Sequence, residues 1–120
     1  RDVAVFADVH VKHASHAIVA DRPLYEQARD VEAFGADVLI ASGQRTGAVV
    51  DMDELREIMR ATSKPVIVGS GLNGDNVRGL LEVADGAIVG SSVKHEGVWW
   101  NPVDELKVIE LMKEVERLRR

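Results

Sequence analysis

The chain has 120 residues, of which 46% are hydrophobic and 29% charged, and these ordinary globular values exclude a disordered protein. Its net charge of −5 disfavours nonspecific binding to nucleic acid or to an anionic membrane surface, since both need basic clusters. The absence of cysteine excludes disulfides and thiolate chemistry and is compatible with a cytoplasmic location. We therefore expect one small domain over residues 1–120, without a nucleic-acid partner or a membrane-inserted segment.

Four short apolar runs predict four β-strands. Each run is apolar throughout rather than alternating, which is typical of parallel strands covered on both faces. Turn-forming residues precede the last three runs. The predicted strands cover residues 3–7, 38–41, 66–68 and 87–89.

Apolar residues repeat at helical spacing after each predicted strand, so each helix has one apolar face for packing on a sheet. Asp51 is predicted to open the second helix, Asn73 or Asp75 the third, and Asn101 followed by Pro102 the fourth. The repeats are Leu24, Ala28 and Val31; Met52, Leu55, Ile58 and Met59; Val77, Leu80, Leu81 and Ala84; and Val108, Leu111, Met112 and Val115.

The order βαβαβαβα predicts an α/β fold with a parallel sheet and right-handed crossovers. Helix-to-strand links are short and strand-to-helix links are long, as in (β/α)8 TIM barrels, whose long loops carry the active site. Four units make half of such a barrel. An open, flavodoxin-like sheet allows the same pattern, so the loop lengths alone do not choose between them.

Candidate catalytic residues follow the first strand. If that strand continues, Asp8, His10 and Lys12 lie two residues apart and point to one side. An acid, an imidazole and an amine at a strand mouth suit acid/base work, with Lys12 as the charge partner. The alternative is a structural pair of Asp8 and His10 at the barrel rim.

A metal reading of His10, His13 and His16 is disfavoured, because this stretch is predicted as strand and loop rather than helix. We predict no metal site and no cofactor.

The later strand ends predict an anion site. Glycines let backbone N–H groups approach a phosphate closely, and TIM barrels often bind phosphate between the loops after their last two strands. Lys94 would neutralise an anion, and Arg45 would clamp one, unless each is simply exposed. Of the adjacent Trp99 and Trp100, we expect one to pack under the rim, while the other covers a ligand or an interface. The predicted binding residues are Ser42, Gly43, Gly69, Ser70, Gly71, Gly90, Ser91 and Lys94.

The sequence resembles the BtpA family, also called BtpA/SgcQ, over nearly its whole length. The matching segments are residues 7–14, ADVHVKHA; 36–43, ADVLIASG; 65–71, PVIVGSG; and 84–92, ADGAIVGSS. The first and last segments are specific, whereas the motifs Gly-Ser-Gly in the third segment and Gly-Ser in the last are common in barrels.

The resemblance implies a (β/α)8 barrel about twice this length, of which this chain is the C-terminal half, strands five to eight. It implies either a role in photosystem I biogenesis or stability, or an enzyme acting on a sugar or nucleotide, and it brings no catalytic assignment. The half barrel is expected to pair with the missing half or with a second copy, because it exposes two strand edges and an apolar face.

Three functions remain open from the sequence. The first is a barrel protein that binds a small phosphorylated or anionic metabolite, whether or not it is an enzyme. The second is a non-catalytic assembly or stability factor acting on a protein partner. The third is an engineered or reconstructed half barrel without activity, which the start at Arg1 without a methionine favours.

Overall fold

The structure is a computed structural model that describes residues 2–10, 22–43 and 48–119. Lys12, His13, His16 and Arg45, which the sequence analysis considered as site residues, lie outside these ranges. Within them, no helix has the length and hydropathy needed to cross a membrane.

Strands and helices alternate along the chain as the apolar pattern predicts. Two single 3-10 turns, Ser91–Val93 and His95–Gly97, lie between the last strand and the last helix. The elements are β1 (Phe6–Asp8), α1 (Leu24–Ala33), β2 (Val38–Ala41), α2 (Met52–Ala61), β3 (Val66–Val68), α3 (Val77–Leu81), β4 (Gly86–Ala87) and α4 (Glu105–Leu118).

The four strands form one parallel sheet in the order β1-β2-β3-β4, so each strand pairs with the next one in the sequence. The flavodoxin-like alternative is wrong, because that topology places the first strand between the second and the third. Sequential parallel order with a helix between strands is the order of a (β/α)8 barrel. The chain thus has the architecture of half a TIM barrel.

The core lies between the sheet and its helices. Parallel partners point to the same face of a sheet, and the paired residues Leu39 and Val66, like Ala41 and Val68, are almost fully buried. They share one apolar cluster with residues of all four helices, including Ala28, Leu55, Ile58, Leu80 and Leu111. This outward row of strand residues holds the helices on one side of the sheet.

The opposite face of the sheet corresponds to the barrel interior. Ile40 near its centre is buried, whereas both outer ends of this face are open. Phe6 of β1 is 53% exposed, and Ile88, directly after β4, is 49% exposed. Ile67 of β3 is only half-buried, although Val66 and Val68, the residues before and after it in the sequence, are buried. Continuous apolar strands predicted two covered faces, and in this chain the helices cover one of them.

The structure confirms the predicted start of the second helix and moves that of the fourth. Asp51 caps α2 as predicted, since its Oδ1 accepts hydrogen bonds from the N–H groups of Asp53 (2.8 Å) and Glu54 (3.1 Å). The predicted start of the fourth helix at Asn101 and Pro102 is wrong. α4 begins at Glu105 with Asp104 as its cap, because the preceding Val103 is held in a bridge with Lys94.

The third helix also starts later than predicted. α3 begins at Val77, and Asn73 caps the turn before it, where its Oδ1 accepts from the N–H groups of Asp75 and Asn76. Asn76 Oδ1 accepts from the N–H of Asn73 in return (2.8 Å). This reciprocal pair fixes the chain between β3 and α3.

Glu32 links neighbouring βα units on the helix side. Its carboxylate accepts hydrogen bonds from the hydroxyls of Ser63 (2.6 Å) and Thr62 (3.0 Å), which lie between α2 and β3. These two hydrogen bonds, Ser63 first, lower the pKa of Glu32 below its ordinary value of 4.5, because they favour the charged form.

A group with a lowered pKa stabilises the fold above its ordinary pKa, and this contribution is lost as pH falls through the lowered value. We therefore expect the free energy of unfolding to fall below pH 4.5 less steeply in Glu32→Gln than in the unmodified chain. Urea unfolding at a series of acidic pH values measures this. Glu110→Gln, the same change on the exposed side of α4, should keep the original slope, and equal slopes for all three proteins would contradict the prediction.

Candidate ligand site at the carboxyl ends of the strands

A pocket of about 630 Å³ lies at the carboxyl ends of β3 and β4. Its size is within the range of sites that hold a small organic ligand. One side is formed by the loops that follow the two strands, which include Gly71, Gly90 and Ser91, and the other side by residues 97–100. The prediction that these two loops are adjacent in space is confirmed.

Backbone N–H groups provide the polar side of the pocket. Within the ranges that the structure describes, the N–H groups of Gly71, Gly90 and Ser91 donate to no protein acceptor, and the Ser91 hydroxyl has no protein partner. A side chain added at Gly90 would meet no protein atom within 4 Å, so the space beside this backbone is open. These groups are available to a ligand that accepts hydrogen bonds.

The backbone conformation at position 71 requires a glycine. Its φ is +77°, and an added Cβ would lie 2.6 Å from the Cα of Val49, a contact that only glycine avoids. Ser70 holds the same junction from the other side, where its hydroxyl donates to the carbonyl of Ala48 (2.9 Å) and accepts from the N–H of Gly43 (3.2 Å). Ser70 therefore has a positioning contact in addition to its predicted role in binding.

The apolar side of the pocket is formed by Ile88, Val98 and two tryptophans. Trp99 is 64% exposed and Trp100 is 70% exposed, so the prediction that one of them packs under the rim is wrong. Their ring centroids are 5.3 Å apart and their planes are nearly perpendicular, at 88°.

The segment that carries the tryptophans is closed by hydrogen bonds. An antiparallel bridge pairs Lys94 with Val103 at its base, and Asn101 Nδ2 donates to the carbonyl of His95 (2.9 Å) across it. Glu96 (φ 60°) and Gly97 (φ 71°) make its sharp turn. The bridge and the turn fix the backbone on which both indoles stand.

Lys94, which was predicted to neutralise an anion, lies at this bridge, where its carbonyl accepts from Lys107 Nζ (2.9 Å), and it is outside the pocket lining. Among the described lining residues there is no charged side chain of either sign. The described polar contacts available to a ligand are therefore those of backbone N–H groups, hydroxyls and the Asn73 amide.

Asp8 and His10, the two predicted catalytic residues that the structure describes, lie outside the pocket lining. Asp8 ends β1, and its Oδ1 accepts from the Ser42 hydroxyl after β2 (3.3 Å). His10 Nδ1 lies 3.3 Å from Gln27 Oε1 of α1, on the helix side of the sheet. The acid/base role of Asp8, His10 and Lys12 stays a prediction, as does the binding role of Ser42 and Gly43.

Comparison with known proteins identifies the family. A model of the BtpA family matches residues 1–117. The chain belongs to the BtpA family.

Relatives of this BtpA-family chain occur in animals, archaea and cyanobacteria. It is 36% identical over 119 residues to an uncharacterised mitochondrial protein of Caenorhabditis elegans, covering 99% of this chain and 43% of that protein. It is 44% identical over 117 residues to an uncharacterised Pyrococcus abyssi protein, covering 98% and 44% respectively. It is 37% identical over 118 residues to the photosystem I biogenesis protein BtpA of Synechocystis, covering 94% and 40%. The chain thus spans less than half the length of these relatives.

A solved structure agrees with the barrel architecture. Thiamine phosphate pyrophosphorylase from Pyrococcus furiosus, a TIM-barrel protein, superposes with a TM-score of 0.60 over 98% of this chain and 69% of its own. At 23% sequence identity this likeness shows the fold alone.

Six lining residues were not among the predicted binding residues, and the joint position of both indoles was not expected. The six residues are Leu72, Asn73, Ile88, Ser92, Gly97 and Val98. Ile88 and Val98 had no sequence signal, because apolar residues at these places also suit a core. The pair of adjacent aromatics in a loop after a Gly-Ser strand end was a usable signal.

We expect Gly71→Ala to lower the free energy of unfolding by at least about 1–3 kcal/mol, because alanine at a positive φ is strained and its methyl group would clash with Val49. Gly74→Ala, three residues later, meets no atom within 4 Å and should change stability by less than about 0.5 kcal/mol. Chemical denaturation of both variants measures this. Similar losses in the two would show that the close approach at Gly71 is not needed.

Proposed function

We propose that this BtpA-family barrel binds a small phosphorylated or otherwise anionic metabolite at the carboxyl ends of β3 and β4. The observation that carries the proposal is the set of unpaired backbone N–H groups at Gly71, Gly90 and Ser91 beside one pocket. Backbone N–H groups from two loops can converge on a phosphate and bind it without a cationic side chain. The described lining also contains no carboxylate that would repel an anion.

The position of the pocket supports an assignment of the four strands. TIM barrels often bind phosphate with the loops that follow their seventh and eighth strands. We propose that β1 to β4 are strands five to eight of a complete barrel, so that residues 1–120 form its C-terminal half. The share of the relatives' length that the chain spans, 43% for the animal protein and 44% for the archaeal one, is compatible with this assignment.

If the barrel is an enzyme, we propose that Asp8 and His10 exchange protons with the ligand and that Lys12 balances their charge. Asp8 supports this best, because it is exposed at the rim of the open sheet face and retains a carboxylate oxygen beyond its contact with Ser42. The substrate belongs to the sugars or nucleotides in this proposal, and the reaction stays open. A cytoplasmic location belongs to the same proposal.

Inorganic phosphate tests the anion site directly. We expect its titration into the 15N-labelled chain to shift the amide resonances of Gly71, Gly90 and Ser91 in a saturable way. Gly90→Ala should weaken this binding about 10-fold or more, because its methyl group enters the open space beside the N–H groups and hinders close approach.

The matched control is Gly79→Ala on α3, where an added Cβ also meets no protein atom within 4 Å and which is not a lining residue of the pocket. It should bind phosphate like the unmodified chain. Non-saturable or scattered shifts, or equal weakening by both substitutions, would count against the anion site.

A second candidate function is a non-catalytic assembly factor, which is supported by the name of one relative, whereas the exposed apolar face at Phe6 and Ile88 bears on what covers the sheet. Its Synechocystis relative is named for photosystem I biogenesis. We propose that this face is covered in every functional state, either by the other half of the barrel or by a second copy of this chain. An exposed apolar face of this kind otherwise promotes aggregation.

For the 13.1 kDa chain on its own, we expect a homodimer in analytical ultracentrifugation, with the two open faces packed together. Phe6→Ser should shift the population to the monomer by removing apolar area from that face. Phe34→Ser is the matched control, since Phe34 is almost fully exposed at the end of α1, away from the open face. A monomer at every concentration, or dissociation by both substitutions, would contradict the pairing.

A further inference from the structure

The pocket has two chemically different sides. Free N–H groups of Gly71, Gly90 and Ser91 line one side, and the apolar surfaces of Ile88, Trp99 and Trp100 line the other. Its volume of about 630 Å³ is much larger than a phosphate ion needs and falls within the range for drug-sized ligands. A ligand that contacts both sides carries an anionic group at one end and an apolar group at the other.

The indoles specify the shape of the apolar group. Trp99 and Trp100 are both more than half exposed, and large exposed aromatics cost solvation free energy unless a ligand or partner covers them. Their planes meet at 88° with centroids 5.3 Å apart, so the pair makes a right-angled corner. A flat ring fits such a corner with its face on one indole and its edge towards the other, which are the two favoured aromatic geometries.

The backbone holds this corner in place before any ligand arrives. The Lys94–Val103 bridge closes the segment, and the N–H of Asn101 donates to the carbonyl of Val98 (3.0 Å) directly around the tryptophans. Glu96 occupies a positive φ of 60°, a conformation that residues other than glycine rarely adopt and that is often found at functional sites. An ordered backbone beneath the indoles lowers the entropy cost of stacking a ligand on them.

We infer that this pocket binds a phosphate monoester that also carries a flat aromatic ring, such as a nucleoside monophosphate, with the ring on the Trp99–Trp100 corner and the phosphate on the N–H groups of Gly71, Gly90 and Ser91. The inference rests on the proposed function for the phosphate end and adds the ring. It separates the nucleotides from the sugar phosphates, which the proposed function leaves together.

Four probes separate the two ends of the ligand: adenosine 5′-monophosphate, ribose 5-phosphate, adenosine and inorganic phosphate. The chain contains two tryptophans and both line the pocket, so intrinsic tryptophan fluorescence reports on this site alone. We expect the nucleotide to quench this fluorescence and, by calorimetry, to bind about 10-fold more tightly than ribose 5-phosphate, because stacking on an aromatic side chain contributes a free energy of that order.

Trp99→Leu and Trp100→Leu test the corner, and because both side chains are exposed, the fold should tolerate either change. At least one of them should reduce nucleotide affinity about 10-fold, to near the value for ribose 5-phosphate, while leaving inorganic phosphate binding unchanged. Phe34→Leu, an exposed aromatic outside the pocket, is the control and should change neither. Circular dichroism confirms that each variant is folded.

The outcomes distinguish this inference from the proposed function. The ring site is contradicted if the nucleotide and ribose 5-phosphate bind with equal affinity, or if nucleotide binding is unchanged by both tryptophan substitutions. Neither result contradicts the phosphate site. If adenosine binds as tightly as its monophosphate, with the affinity for both reduced in the tryptophan variants, that result supports the ring site and overturns the phosphate site. Absence of binding by all four probes overturns both.

Discussion

The sequential parallel ladder is the constraint on which the other features of this chain depend. Each strand pairs with the next in the sequence, so all four carboxyl ends lie at one edge of the sheet and every helix is on the same side. The row that contains Leu39, Val66 and Val68 holds this arrangement by burial against the helices. Because of it, loops separated by some twenty residues in the chain, at Gly71 and Gly90, become neighbours and form one pocket.

The same constraint leaves one face of the sheet uncovered. A complete eight-stranded barrel would fill its interior with side chains from opposite strands, and four strands supply half of them. Phe6 and Ile88 show the result, since both are apolar residues of strand segments and both are about half exposed. The open face and the ligand pocket meet at Ile88, so whatever covers the one also limits access to the other.

Much of the fold could be predicted from the sequence, because many local patterns are compatible with one structure only. The runs at residues 38–41 and 66–68 are strands because continuous β-branched and aliphatic residues suit a buried parallel strand, and Asp51 caps α2 because its carboxylate satisfies free N–H groups. The start of α4 was misplaced because Asn101 and Pro102 have the local signature of a helix start. The tertiary bridge between Lys94 and Val103 delays the helix to Glu105, and no local pattern encodes that bridge.

The site was predicted in part for the same reason. Gly71, Gly90 and Ser91 were identifiable, because glycine and serine at strand ends of a barrel have a known use. The exposure of Trp99 and Trp100 could not be predicted, because an indole in a loop is compatible with burial as well as with binding. The tertiary path of the chain determines which of the two occurs. Lys94 was expected at the pocket mouth because it follows the last strand in the sequence. In the structure it lies outside the pocket lining, and its carbonyl accepts a hydrogen bond from Lys107 Nζ.

All the described residues that line the pocket fall between positions 69 and 100, within the last two strands and the segment after them. The described lining of this pocket thus comes from one uninterrupted stretch of the sequence. Exchange of that single stretch between relatives would transfer selectivity as a unit.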